Sequence, residues 1–380
     1  MTEGRSLSFL HLVVVCTLIS TVGFFFGIRV SSVGWIVPLL ASIISFLTRV
    51  RWIHIRRFAM WAPWILYSGG ALIFSHPENS VIRTMLMYCP LVVGVAATTY
   101  APSEGEYKRI FNSLRVAAVL LLAILFVRSR LGSGEEAFFL AAESMTAVLF
   151  ATIFAVHVLL TGSFVSLMSW FAMALVPILS LSRVATVAVG IVLPLAIAPI
   201  SALVRGLTGL VIVIGALSLF YSSGFQEKMF SGGTGNISDL LSGGGDVQAS
   251  GRVEIWAALI EGIARDPWVG HGPNASQAVV DEVVEDVSHP HNDYLRLAYD
   301  YGFIGLGIYL ATLAAQIMAV VRAAGQARGF KRIILYCIAT SFIPYLTLMI
   351  TDNVVLYAAY FGNIQYAIIG LGLSRGPSDG

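Results

Sequence analysis

What most constrains this chain is the recurrence of apolar blocks about 20 residues long, the length an α-helix needs to cross a hydrocarbon core of roughly 30 Å. Blocks such as Phe164 to Leu181 and Leu207 to Phe220 are apolar on every face, which excludes the ten-residue apolar/polar alternation of a membrane β-barrel. Of the 380 residues, 57% are hydrophobic and 12% charged, about half the charged share of a soluble domain. No soluble fold hides that much apolar surface. The sequence therefore predicts an all-α, polytopic membrane protein.

The net charge of +2 is small, and no basic stripe alternates with aromatics, so no nucleic-acid partner is expected. Cys16, Cys89 and Cys337 all fall within apolar blocks and read as packing residues rather than a disulfide or metal set. The first block, Leu7 to Gly27, exceeds the apolar region of a signal peptide and reads as an uncleaved span.

Apolar runs between charged or Gly/Pro punctuation predict about twelve spans, near 7–27, 30–48, 58–75, 85–100, 112–127, 138–160, 164–182, 184–203, 206–222, 297–321, 333–351 and 354–373. With an even count, both termini share a side. Placing the N-terminus in the cytoplasm puts about fourteen of the 23 Lys and Arg residues there, as the positive-inside rule asks. Only Arg29, Arg83, Arg128, Arg130 and Arg183 then sit on short outer segments. The expected organisation is spans one to nine over 1–222, a large extracytoplasmic loop over 223–296 between spans nine and ten, and spans ten to twelve over 297–380.

Within the loop, 223–251 is rich in Gly and Ser and reads as a flexible tether. It lacks the Gly-Lys-Ser/Thr of a phosphate-binding loop. The part over 252–296 opens with a helix, since Ile255, Trp256, Leu259, Ile260 and Ile263 recur at helical spacing, and Asp266-Pro267 ends it. Arg252 lies one turn from Trp256 and reads either as a snorkelling surface arginine or as a functional one. The acidic run Asp281, Glu282, Glu285, Asp286 contains no Asp-x-Asp that would hold a divalent ion. His289 and His291 with His271 form only a weak zinc pattern, and no metal is expected. Asn292 or Asp293 is positioned to cap the next helix, which places His291 at its N-terminal edge.

These residues together form a succession: Gly251-Arg252-x-x-x-Trp256, Pro267-x-x-Gly270-x-Gly272, His291-Asn292-x-Tyr294-Leu295 and Gly302-x-x-Gly305. It resembles the O-antigen ligase and polymerase superfamily over about 250–307, and the span layout fits the same pattern. The resemblance implies a glycosyltransferase of the bacterial inner membrane, working on its periplasmic face with no cofactor. Its donor is an undecaprenyl-diphosphate-linked oligosaccharide and its acceptor a glycan or lipid-linked sugar. A chain-length regulator and a flippase are possible partners beside the membrane lipids.

The resemblance further implies two site arginines and a histidine at the places held by Arg252, Arg183 and His291. Guanidinium groups stay charged and grip phosphate oxygens bidentately, so they suit a leaving diphosphate without a metal ion. A neutral imidazole suits removal of the acceptor hydroxyl proton, and in-line displacement inverts the anomeric centre. His289 is the other candidate base. Asn292, Tyr294, Arg296, Trp256 and Glu143 are candidate substrate contacts, and the Asp352-Asn353 pair also falls near the outer face. Polymerase and ligase share this donor chemistry; His289-Pro-His-Asn-Asp-Tyr-Leu resembles exopolysaccharide-type members and favours polymerase. A transporter or lipid-linked glycan flippase would need polar groups near the bilayer midplane.

Overall fold

The computed structural model describes residues 5–25, 28–74, 80–131, 136–180, 182–221, 223, 226, 234–236, 252–284 and 289–374. Most of the expected tether, with Glu285 and Asp286 of the acidic run, lies outside the described residues. The fold is helical, apart from a two-residue antiparallel pairing of Phe24–Phe25 with Ile28–Arg29. Among the described residues six helices are long and apolar enough to cross a membrane: Arg5–Val22, Ser80–Ala97, Glu104–Val127, Glu143–Thr161, Asp293–Gln326 and Gly329–Thr351, the last counted across a break. Shorter apolar helices occupy Val33–Arg49, Phe164–Leu179 and Ala202–Gly215. The expected count of about twelve thus goes beyond the described helices of crossing length.

In chain order the α-helices are α1 (Arg5–Val22), α2 (Val33–Arg49), α3 (Trp52–Ile55), α4 (Ala62–Ala71), α5 (Ser80–Ala97), α6 (Glu104–Leu131), α7 (Glu136–Thr161) and α8 (Phe164–Leu179). They continue as α9 (Arg183–Val192), α10 (Ala202–Phe220), α11 (Arg252–Arg265), α12 (Ala275–Val283), α13 (Asp293–Gln326), α14 (Gly329–Thr340), α15 (Phe342–Thr351) and α16 (Asn363–Leu373).

Where expected spans are broken, proline is the recurrent cause. The run over 58–75 divides into a 3₁₀ segment, Arg56–Trp61, and α4, with Pro63 in its first turn. The run over 184–203 is helical only as far as Val192, because Pro194 and Pro199 remove donors beyond it. The run over 333–351 breaks at Ser341, where the ring of Pro344 meets the place of the Thr340 carbonyl. The last run starts as a 3₁₀ turn, Val354–Leu356, and a π-helical turn, Ala358–Gly362, before α16 begins.

The main hydrophobic core draws on helices from α1 to α9 and from α13 to α16. At its centre is α16, whose residues from Asn363 to Gly372 are all buried, as expected of a helix apolar all round. It packs on α5, α1 and α14, while α7 and α8 form an adjacent hairpin. Trp64 lies edge-on to both Tyr301 and Tyr309 at 5.0 and 5.1 Å, fastening α4 to α13. A separate small core, Ile255, Leu259 and Val280 with Trp256, Leu295 and Tyr299 around them, joins α11 and α12 to the first turns of α13.

Candidate active site

Helix α11 spans Arg252–Arg265 and ends just before Asp266-Pro267, as the sequence predicts. The Pro267–Gly272 turn that follows docks on an interruption of α13. Gly302 there has φ 67° and ψ 179°, non-helical values inside an otherwise continuous helix. Phe303 N donates to the Pro267 carbonyl at 2.7 Å, and His271 N and Gly272 N donate to the Tyr299 and Asp300 carbonyls, each at 2.9 Å. A Cβ on Gly302 would strike the Trp268 carbonyl, and one on Gly270 would strike the backbone of residues 299–302. The two glycine motifs are therefore the halves of one backbone joint.

Two buried carboxylates of α13 complete the clamp. Asp300 accepts from Ser276 N at 2.8 Å and from Asn274 N at 3.2 Å, capping α12 from outside its own chain segment. Asp293 accepts from Val355 N at 2.8 Å and holds the Arg296 guanidinium at 2.8–2.9 Å. Arg296, expected as a substrate contact, is 4% exposed and spent on this internal pair. Asn292 is the cap, its Oδ1 accepting from Leu295 N at 3.0 Å.

This framework delivers His291 to the N-terminal edge of α13. The residue has a left-handed backbone (φ 50°), an uncommon conformation outside glycine that the clamp sustains. Its Nδ1 faces Asp352 Oδ1 at 3.6 Å, close enough for charge attraction and too long for a hydrogen bond. The same Asp352 oxygen accepts from Asn353 N at 2.8 Å and Tyr357 Oη at 3.0 Å, which holds the carboxylate in place. One residue earlier, the Thr351 carbonyl accepts from Arg252 Nη1 at 3.2 Å. Trp256 Nε1 donates to the Pro290 carbonyl at 2.8 Å, tying α11 to the histidine turn. Arg252 and His291 thus converge on the Thr351-Asp352 step at the end of α15.

Arg183 opens α9; its side chain lies outside the described residues, but the helix locates its backbone. Helix α9 packs on α15, and Ile197 N, beyond the far end of α9, donates to the hydroxyl of Thr340, the last residue of α14. Ser144 Oγ and Ser180 Oγ are 2.6 Å apart, which ties α7 to the end of α8; Glu143 of α7 is fully buried. Tyr294 is tied to α15, donating from its hydroxyl to the Leu346 carbonyl at 3.2 Å.

His289 has a different environment. Nε2 lies 3.1 Å from Arg83 Nη1 and Nδ1 lies 3.3 Å from Gln277 Oε1. Burial, then Arg83, His291 and Arg296, push its pKa down to about 3. It is a neutral tie between α5 and α12. His271 is again separate, its Nε2 3.0 Å from the Gly262 carbonyl and its ring stacked on Tyr299 at 4.3 Å. Among the described residues no group of three or more His, Cys, Asp or Glu is arranged to hold a metal ion.

Sequence reasoning did not include Arg83 in the site and left Asp352 outside the central group. Arg83 carried a signal, a cation on a short outer segment where the positive-inside rule disfavours one. Asp352 carried a similar one, as an acid at the end of an apolar run.

The bundle's long apolar helices are those of a membrane protein. Residues 167–310, from within α8 to within α13, match the family model described as O-antigen ligase. The resemblance to the O-antigen ligase and polymerase superfamily is thereby borne out. No curated protein matches the chain.

Proposed function

We propose that the protein is an inverting, metal-independent glycosyltransferase that moves a glycan from a polyprenyl diphosphate onto an acceptor sugar hydroxyl. The observation that carries this reading is the convergence of Arg252 and His291, from separate segments, on Thr351-Asp352.

His291 Nδ1 faces a carboxylate, so Nε2 is the nitrogen available to accept a proton, and Asp352 stabilises the imidazolium that results. The acceptor oxygen forms a bond to C1 of the donor sugar as its proton passes to Nε2. The C1–oxygen bond to the diphosphate breaks, and its electron pair leaves on phosphate. Among the described residues Arg252 makes one hydrogen bond, to a carbonyl, leaving further guanidinium N–H groups for phosphate oxygens. Arg183 is the second guanidinium, at the place the family resemblance implies for one. His291 is a better base than His289, whose two nitrogens are both engaged and whose proton affinity is low.

Trp256, Asn292, Tyr294 and Arg296 hold the surroundings of His291 in place through the contacts described above, and Glu143 is a further candidate substrate contact. The favoured activity is repeat-unit polymerisation, supported by the His289–Leu295 sequence; ligation of a finished glycan to another acceptor is supported by the name of the matching family. Purified protein reconstituted with lipid-linked oligosaccharide and a chelator decides between them. A ladder of lengths is the polymerase result and one transfer to a supplied core acceptor the ligase result. Absence of transfer in both assays overturns the proposal.

A further inference from the structure

The other end of α13 carries a second polar feature that the proposed reaction does not use. Where the helix ends, a cavity of about 980 Å³ is lined by the cations Arg56, Arg57, Arg328 and Lys331 together with apolar residues that include Ala319 and Ala323. It lies far from the His291 cluster. That cluster sits at the start of α13 and the cavity at its end, and the stretch from Phe303 to Gln326 beyond the break at Gly302 is by itself roughly 36 Å of helix, enough to span the hydrocarbon core.

Four cations from two separate segments line one cavity, with no acid among its lining residues, a charge distribution that favours an anion there. Glu104, close by, is engaged instead, accepting from Phe330 N at 2.6 Å. Lys331 is oriented by the Ser374 carbonyl at 2.9 Å. Part of the lining is apolar: Ala319 and Ala323, four residues apart, put small side chains on one face of α13, and Ala327 follows just past its end. The level is that of the membrane surface. Just before Arg56, Trp52 is 73% exposed, and exposed Ile53 follows it between the Arg49–Arg51 and Arg56–Arg57 cations. Such a tryptophan among basic residues marks the headgroup region.

We infer that this cavity binds the headgroup of an anionic phospholipid, phosphate among Arg56, Arg57, Arg328 and Lys331, with an acyl chain along the alanine face of α13. A basic pocket between helices at the headgroup level is the arrangement that selects such lipids. The inference stands independently of the transfer reaction.

The test uses the full chain in nanodiscs of equal phosphatidylglycerol and phosphatidylcholine, followed by native mass spectrometry of the lipids that remain bound. The wild type should retain phosphatidylglycerol about tenfold over phosphatidylcholine, and Arg56→Gln with Arg328→Gln should remove most of that preference. Both arginines are exposed, so the double variant keeps its core. Arg265→Gln, on α11, should retain the preference. Equal retention of the two lipids by the wild type, or an unchanged preference in the double variant, overturns the inference. So does release of the bound lipid by millimolar inorganic phosphate as readily as by added phosphatidylglycerol, since the site is then one for a soluble anion.

Discussion

His289 and His291 are separated by one proline yet answer to different partners, and acid distinguishes them. In the folded protein the His289 pKa is depressed to about 3 by burial and by Arg83, whereas an unfolded histidine titrates near 6.5. The unfolded state therefore binds more protons between those values. The stability held in the neutral tie is fully present above about pH 6.5 and is lost as pH falls toward 3. Thermal unfolding followed from pH 7 to pH 4 should show the midpoint falling with acid, and His289→Gln, which keeps an uncharged hydrogen-bonding side chain, should flatten that slope. His291 belongs to the chemistry. His291→Ala should lower transfer about 10²- to 10⁴-fold, the range for loss of a general base, while leaving membrane insertion unchanged. Asp352→Asn should act through kcat, because the carboxylate stabilises a charge that forms during the reaction. Activity assays on reconstituted protein check both, and full activity of His291→Ala removes the residue from the site.

At the scale of elements, the joint between the Pro267–Gly272 turn and the break in α13 positions everything else. An alanine at Gly302 must adopt φ near +67° with its Cβ against the Trp268 carbonyl, a strain of about 1–3 kcal/mol. Gly302→Ala should loosen α11 and α12 while the core persists. Hydrogen exchange should accelerate over 252–283 and stay slow in α16; unchanged exchange in both would show that the joint does not hold the pair. What could be read from sequence here was local. Pro267 terminates α11 and Asn292 caps α13 by chemistry contained within a few residues, and both boundaries were legible. The glycine pairs were legible as motifs and not as a joint, because no pattern says that Gly270 meets Gly302. Arg83 and His289 are 206 positions apart, and Asp352 meets His291 across three helices, so tertiary packing alone makes those contacts. Arg296 illustrates the opposite case: an arginine beside the site whose charge is consumed by Asp293 looks the same in sequence as one that awaits phosphate.

At the scale of the molecule, the reading requires its two ends to face different compartments. The polar cluster, at the start of α13, needs the extracytoplasmic side where the polyprenyl-linked donor is expected, and the basic cavity, at its end, needs the cytoplasmic leaflet that the distribution of Lys and Arg predicts. One pair of single-cysteine substitutions tests this. Arg265 is exposed on α11 and Arg328 is exposed at the far end of α13. The native Cys16, Cys89 and Cys337 are buried and unpaired, so a membrane-impermeant maleimide should find little background in intact cells. Arg265→Cys should label in intact cells once the outer barrier is opened, and Arg328→Cys only after the inner membrane is made permeable. The reverse pattern would put the His291 cluster in the cytoplasm and remove the orientation on which a lipid-linked donor was proposed. Labelling of both positions without permeabilisation would show that α13 does not cross the membrane, in which case its length must serve packing rather than transit.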